Sequence, residues 1–418
     1  MVTAWSKQFM KENATGQGMA VTDVEAQQRE VEAFLDDPAR HQQLKQSWRP
    51  YVEATLGFCN HWYPALFSRD LVGDEPKSVK LLGERILLRR IDERVFALAD
   101  RCAHRRVPLS AKIECYTKET VTCWYHGFTY DFRDGKLVAV LTEPGCSLVG
   151  KMAIKTYPVR ETHGMIFVFV GDALLPNLPD LEDDVPPGFL AADLATGGIR
   201  REVKSNWRFG AENGFDITHI YIHRNSRFIH TTGALLPLGL VPTSKQSMEL
   251  VNGQGPKGII DKFASNYLPV FEAAIDQVTV AATLKPQGEP VASSVSIWMP
   301  GVLRVENFPT PGITQFEWYV PIDEKTHAYW QVLGKKVDDA NEVATFRSQV
   351  VSYWEDIALR GFNDDDVWAR EALEDAYTDG DGWTKERLFK PDMCIVEWRK
   401  LASTYHRGIQ KRPGQKAG

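Results

Sequence analysis

Cys102-Ala103-His104 and Cys123-Trp124-Tyr125-His126, separated by 18 residues, decide how this chain is read. Each pair falls in a short loop bounded by strand-like runs: Arg94–Asp100 before the first, Thr120–Thr122 before the second and Thr129–Phe132 after it. Two thiols and two imidazoles make a four-ligand metal site. Zinc would take all four in one closed tetrahedron. A Rieske [2Fe–2S] cluster would put both thiolates on one iron and both imidazoles on the other. C-x-H is unusual in a zinc finger and the surroundings are β-rich, so the spacing favours the cluster. The bland alternative is an accidental pairing of core cysteines with surface histidines. Cys59, Cys115, Cys146 and Cys394 have no such partners and are expected to be buried apolar thiols.

Working outward, residues 61–170 alternate short β-rich runs with turn signals such as Asp134-Gly135 and Glu143-Pro144-Gly145, which predicts a small all-β domain. The apolar run Met165–Val170 reads as a buried strand and is far shorter than the ~20 residues a membrane span needs. The Pro- and acid-rich stretch 176–187 is the best candidate for a linker. Beyond it, residues 207–230 are partly helical, 245–335 are strand-rich, and 340–378 and 385–405 are helical. Strands grouped before helices predict an α+β domain with an antiparallel sheet flanked by helices. Upstream, residues 19–57 show helical periodicity broken at Pro38 and Pro50, consistent with one or two surface helices.

The second constellation is Asp216, His219 and His223. On a helix these residues share one face, and the two histidines, one turn apart, can reach a single metal. Two His and one carboxylate form the facial triad of non-haem Fe(II) sites. Asp216 can be the third ligand, or it can instead accept a hydrogen bond from an imidazole. In the latter case the acidic cluster Asp364-Asp365-Asp366 is the alternative source, although it also reads as an ordinary helix N-terminus. The bland view of His219 and His223 is a helix with two unremarkable histidines. A one-electron cluster upstream argues against it, because the cluster needs an acceptor.

Length and composition set the frame. At 418 residues the chain exceeds one ordinary domain, and its composition (43% hydrophobic, 25% charged) is that of a folded protein. A net charge of −6, from 49 Lys+Arg against 55 Asp+Glu, argues against a nucleic-acid binder. Six cysteines are too few for a disulfide framework. The N-terminal residues lack an apolar core and cleavage site, so a cytoplasmic protein with no membrane segment is expected.

C-x-H…C-x2-H, a linker, then D-x2-H-x3-H resembles the α-subunit of the Rieske non-haem iron ring-hydroxylating oxygenases. The likeness runs from about Ser47 to Ile409 and is carried by GFCNHWYP (57–64), CWYHGFTY (123–130), Glu212–His223, SIWMPGVLRV (296–305), QFEWYVPID (315–323), Gly361–Ala372 and WRKLAS (398–403). The resemblance implies a [2Fe–2S] cluster on Cys102, His104, Cys123 and His126. It also implies a mononuclear Fe(II) on His219, His223 and Asp366, with Asp365 as the fallback. The implied domains are an N-terminal helical extension (1–50), a Rieske domain (51–175) and a catalytic domain (176–418). Pocket positions match Gly214, Ile220, Val295, Phe308, Glu317, Phe362 and Asn363, with Asn363 and Asp216 counted as catalytic.

In that family an NAD(P)H-linked reductase and a ferredoxin supply electrons. In this subgroup a homotrimer is implied, with a carboxylate matching Asp216 bridging His126 of one chain and His219 of the next. The expected activity is oxygenation of an aromatic or N-heteroaromatic compound with O₂. The same iron chemistry can also serve N- or O-dealkylation of an aryl amide or ether. Two rivals lie outside this class: a zinc-stabilised binding protein without catalysis, and a Rieske electron carrier with an unrelated C-terminal half. One departure matters. The family usually has Gly where Arg106 follows His104-Arg105, so the loop beside the cluster is expected to differ.

Overall fold

Residues 47–172, 175, 177–233, 248–272, 281–377 and 382–412 are described in the structure, a computed structural model. The helices expected upstream of residue 47 lie outside the described residues. Pro50 marks a helix start, in keeping with the break expected there. It sits in the first turn of α1 (Arg49–Glu53), where the missing N–H costs nothing.

The N-terminal half is antiparallel β throughout. It comprises β1 (His61–Phe67), β2 (Lys77–Leu81), β3 (Glu84–Ile91), β4 (Arg94–Ala99), β5 (Thr120–Thr122), β6 (Phe128–Asp131), β7 (Leu137–Val140), β8 (Thr156–Tyr157), β9 (Val159–Thr162) and β10 (Met165–Val170). These strands form sheets ordered β1-β10-β9, β2-β3-β4-β8 and β5-β6-β7. As the sequence predicts, every residue of β10 is buried, because the strand lies between β1 and β9 in its sheet. Leu87, Leu98, Leu109, Val121, Phe128, Tyr130 and Leu137 make a separate small core that includes Cys102 and Cys123.

The C-terminal half is built on one seven-stranded antiparallel sheet. Its strands are β11 (Leu194–Val203), β12 (Met248–Val251), β13 (Gly258–Glu272), β14 (Ala281–Trp298), β15 (Val302–Glu306), β16 (Ile313–Asp323) and β17 (Thr326–Lys336), ordered β11-β17-β16-β15-β14-β13-β12. The strand period of two sorts β16 into two faces. Phe316, Trp318, Val320 and Ile322 join Trp62, Phe67 and Phe167 of the N-terminal half in one shared core. Gln315, Glu317 and Tyr319 alternate with them, and Tyr319 packs in a second core with Trp207, Phe215 and Trp398. The helices of this second layer include α1 through Tyr51, α2 (Trp207–Phe215) and, in the C-terminal region, α7 (Met393–Tyr405), and between α2 and α7 the chain forms α3 (Arg227–Thr232), α4 (Ala340–Gln349), α5 (Asn363–Tyr377) and α6 (Gly382–Lys385). The helical region after residue 340 is therefore not one rod. A π-helical segment, Val350–Arg360, runs from α4 to the start of α5.

The stretch expected to be a linker is anchored instead. Leu181–Asp184 is a 3₁₀ turn whose Leu181 is fully buried, and Asp184, at 0% exposure, accepts from the Trp62 backbone N–H at 2.8 Å and lies 2.8 Å from His61 Nδ1. Arg407 Nη1 completes the cluster at 2.9 Å. A buried, triply partnered carboxylate joins the two halves across the chain's length.

Candidate metal centres

The Cys102 loop leaves β4 and the Cys123 loop joins β5 to β6, and both close with the same backbone pattern. Cys102 N–H donates to Val107 O and Arg106 N–H to Cys102 O; Cys123 N–H donates to Phe128 O and Gly127 N–H to Cys123 O. The matching positions 106 and 127 are both left-handed, at φ 63° and 69°. Gly127 takes this conformation freely, whereas an L side chain does so at a cost of about 1–3 kcal/mol. Arg106 therefore keeps the glycine conformation rather than altering the loop, which corrects the expectation of a different backbone.

Both thiols are buried. His104 is exposed and His126 half-buried, their ring centroids 4.7 Å apart, with His104 stacked on Phe128. Ala103 N–H donates to Tyr130 Oη at 3.0 Å, and the same oxygen lies 3.2 Å from Cys102 Sγ, so Tyr130 bridges the loop backbone and the thiol. Burial, reinforced by Cys102 beside it, pushes the Cys123 thiol up. Two buried adjacent thiols become thiolates only when a cation compensates them. Among the described residues, no three of these four side chains bring ligand atoms within 4.8 Å of one another. Two thiols and two imidazoles on adjoining loops are the donor set of a [2Fe–2S] centre with the thiolates on one iron and the imidazoles on the other.

The second centre departs from the expected helix. Asp216 ends α2 and caps a 3₁₀ segment, Ile217–Asn225. Its Oδ1 accepts from Thr218 N–H at 2.8 Å and Thr218 Oγ1 at 2.7 Å. Asp216, His219 and His223 thus do not share an α-helical face, and Asp216 is not the third corner. That corner is Asp366, in the first turn of α5: His219 Nε2, His223 Nε2 and an Asp366 oxygen all lie within 4.8 Å of one another. Asp366 Oδ1 is 3.3 Å from His219 Nε2 and 3.5 Å from His223 Nε2. Ligands on one octahedral face at bond lengths of about 2.1 Å stand roughly 3 Å apart.

Each imidazole is oriented through its other nitrogen. His219 Nδ1 bonds the Asp216 backbone carbonyl, and His223 Nδ1 lies 3.3 Å from Asp365 Oδ2. Asp365 thus meets His223 through Nδ1, whereas Asp366 faces its Nε2. His223 Nε2 and Asp366 Oδ1 are buried without a hydrogen-bond partner. Two converging orphaned atoms of this kind fit a cation. Burial alone would lower the His223 pKa, but Asp366, with Asp365, pushes it up to about 9. Burial would raise Asp366, yet His223 and Arg370 hold it well below the usual carboxylate range.

The expected pocket residues divide into two groups. Phe362 stacks on His223 with centroids 3.7 Å apart, and Phe308 and Ile220 pack with it. Asn363 Nδ2 donates to Asp366 Oδ2 and Tyr329 Oη, both at 3.0 Å. Glu317 is buried and held by Gln315 and Tyr319, with Asn363 at 3.3 Å. Val295 packs instead in the helix-side core, and Gly214 lies against Tyr319 and Leu303, where a Cβ would fall 2.1 Å from Tyr319 Oη. Tyr130 and Arg370 were not legible as site residues; a tyrosine two residues past Phe128 and an arginine in a charged helix carry no motif. Of the lone cysteines, Cys146 and Cys394 are buried as expected, whereas Cys59 and Cys115 are partly exposed. A cavity of about 360 Å³ beside the Cys102 loop is lined by Glu84, Arg85, Arg101, Arg106 and Lys155. Its charged walls do not suit a flat apolar substrate.

Paired Cys–His loops on a small β domain, followed by a His–His–Asp triad beside an antiparallel sheet, describe a two-centre iron oxygenase. Residues 61–158 match the Rieske [2Fe–2S] domain, and residues 169–410 match the family described as homotrimeric ring hydroxylase. The chain belongs to this family of Rieske ring-hydroxylating oxygenases, whose Rieske domain carries a [2Fe–2S] cluster and whose terminal oxygenases carry a mononuclear iron. It is 47% identical over 382 residues to the terminal oxygenase component of carbazole 1,9a-dioxygenase from a Sphingomonas species, covering 90% of this chain and 100% of the relative. The solved terminal oxygenase of carbazole 1,9a-dioxygenase from Novosphingobium sp. KA1 superposes with a TM-score of 0.81 at 47% identity, covering 89% of this chain and 99% of that one. A reduced complex of oxygenase and ferredoxin in carbazole 1,9a-dioxygenase gives a TM-score of 0.82 at 45% identity, covering 91% and 98%. The zinc-protein and electron-carrier rivals fall with this membership. No described helix is long and apolar enough to cross a membrane.

Proposed function

We propose that this chain is the terminal oxygenase for a flat N-heteroaromatic substrate of the carbazole or 2-oxoquinoline kind, acting as a cytoplasmic homotrimer. Residues 51–175 form its Rieske domain, 176–418 its catalytic domain, and 1–50 a helical extension. Cys102, His104, Cys123 and His126 hold the [2Fe–2S] cluster; His219, His223 and Asp366 hold the mononuclear iron. The observation that carries this proposal is the convergence of His219 Nε2, His223 Nε2 and Asp366 Oδ1, two of these atoms buried and unpartnered, beside a His223–Phe362 stack.

When bound, the mononuclear iron supplies activation of O₂ with electrons delivered singly through the cluster. The chain's own residues do the rest. Asp365 and the Asp216 carbonyl fix the two imidazoles so that only their Nε2 atoms face the metal. Asn363 holds one oxygen of Asp366 and leaves the other free. Phe362, Phe308 and Ile220 keep the adjoining space apolar, and the two phenylalanines offer rings to an aromatic substrate. A reductase using NAD(P)H and a ferredoxin supply the electrons. In the trimer Asp216 would bridge His126 of one chain and His219 of the next, linking the residues that would hold the two centres.

The test is product analysis with purified trimer, a surrogate ferredoxin and a reductase. The panel comprises carbazole, 2-oxoquinoline, diaryl ethers and N-alkyl anilides. Ring oxygenation of the first two supports the proposal. Turnover confined to the ethers or anilides, with loss of the alkyl or aryl group, replaces it with dealkylation.

A further inference from the structure

The helix that carries Asp366 and the helix that runs into the His219–His223 segment are separate elements, so something must keep their side chains in register. Arg370, one turn beyond Asp366 on α5, is 0% exposed. Its Nε donates to Asn213 Oδ1 at 2.7 Å, and Asn213 lies in the last turn of α2, three residues before Asp216. The guanidinium carbon sits 4.3 Å from the Tyr329 ring centroid and 5.0 Å from that of Tyr319. Nη2 lies 3.7 Å from Glu317 Oε2 and 3.9 Å from Asp366 Oδ1, and neither Nη has a hydrogen-bond partner.

Two carboxylates buried at 2% and 3% exposure therefore share one buried cation. Buried carboxylates without compensation are costly, and a planar guanidinium can hold a bond at one edge while facing two anions at the other. Asn363 links the same groups, donating to Asp366 at 3.0 Å and approaching Glu317 at 3.3 Å.

We propose that Arg370 is a positioning residue of the mononuclear site: through Asn213 it ties the helix bearing Asp366 to the one that leads into His219 and His223, and between Glu317 and Asp366 it balances two buried negative charges. This rests on the assignment of His219, His223 and Asp366 as iron ligands. Arg370 touches neither metal nor substrate; it acts by keeping Asp366 Oδ1 turned toward the two Nε2 atoms before the metal arrives.

The experiment uses the full-length trimer with its cluster in place, stripped of mononuclear iron by a chelator and reloaded with Fe(II) without oxygen. Affinity is read by chelator competition and ligand geometry by the EPR line shape of the nitric oxide adduct. Cluster absorbance and acid-labile sulfide report folding. In Arg370→Met the cluster is retained, while Fe(II) affinity falls by about 10–100-fold, the range seen when an outer partner of a metal ligand is lost, and the nitrosyl signal broadens. Arg370→Lys, which keeps the charge but not the fork, recovers part of the affinity, and Asn213→Ala gives a smaller loss. Fe(II) affinity and nitrosyl signal equal to the parent protein in Arg370→Met overturn the proposal, even if its melting temperature drops. If that variant loses cluster and iron together, Asn213→Ala decides, and unchanged affinity there overturns it. A parent protein that fails to bind Fe(II) would refute the ligand assignment instead.

Discussion

Cys102 and Cys123 occupy two loops with the same backbone hydrogen bonds and the same left-handed fifth position, each carrying its own histidine. His219, His223 and Asp366 come from a 3₁₀ segment and a distant helix, brought together over a polar strand face. The first centre is built of local pieces that repeat; the second exists only when α2, α5 and β16 have packed. The difference teaches that a metal site assembled from loops tolerates substitution beside it, while one assembled from helices depends on buried connections well away from the metal.

The largest effects separate the two centres outright. Cys123→Ser is expected to remove cluster iron and sulfide and to loosen the small core in which Cys123 is buried. Asp366→Ala should leave sulfide and cluster absorbance intact while removing the mononuclear iron. The loss of turnover should then exceed the roughly 10–100-fold cost of losing an outer partner. Iron-to-sulfide ratios check both; loss of sulfide in Asp366→Ala would show that the centres are not independent.

Next in size is the link between them. In Asp216→Asn and Asp216→Ala both metals stay bound and steady-state turnover falls to background, while the cluster still accepts electrons from the ferredoxin. Full turnover, measured by oxygen uptake, would reject the path from His126 to His219.

A pH series sharpens the second centre. In iron-free protein the His223 pKa is about 9 against an ordinary value near 6.5, so below pH 9 the metal must displace a proton. Apparent Fe(II) affinity should rise by up to about tenfold per pH unit between about pH 7 and pH 9. The raised pKa contributes stability to the iron-free chain that is fully present below about pH 6.5 and is lost as pH rises through about 9. Melting temperatures of the stripped protein across that window provide the check, and the cluster loops should not share the trend.

The smallest expected effect lies at Arg106. Replacing it with Gly relieves the left-handed strain but adds unfolded-state entropy, so Arg106→Gly should alter stability by about 1 kcal/mol or less and leave the cluster spectrum unchanged. Chemical denaturation followed at the cluster band measures it. A shifted spectrum would mean that Arg106 shapes the loop rather than merely tolerating it.

Much of this was legible before folding, and the exceptions have physical causes. The two Cys–His pairs were readable because each is close in sequence. Asp366 was readable only through the family resemblance, since a run of three aspartates at a helix start looks the same whether or not the last one meets two imidazoles. Residues 176–187 read as a linker because prolines and acids usually face water; here Asp184 is buried against His61, Trp62 and Arg407. Asp216, His219 and His223 suited an α-helix by spacing, but the Asp216 side chain caps the backbone two residues on and starts a tighter turn.

By itself the sequence determined two β-rich regions, the two Cys–His pairs and the His219–His223 pair, because these follow from spacing and strand periodicity. The tertiary structure decided three things: that Asp366 and not Asp216 converges with the two imidazoles, that the supposed linker is an anchor, and that Arg370 stands between two buried carboxylates. Each depends on which side chains lose water together, and burial is a property of the packed chain that no local pattern records.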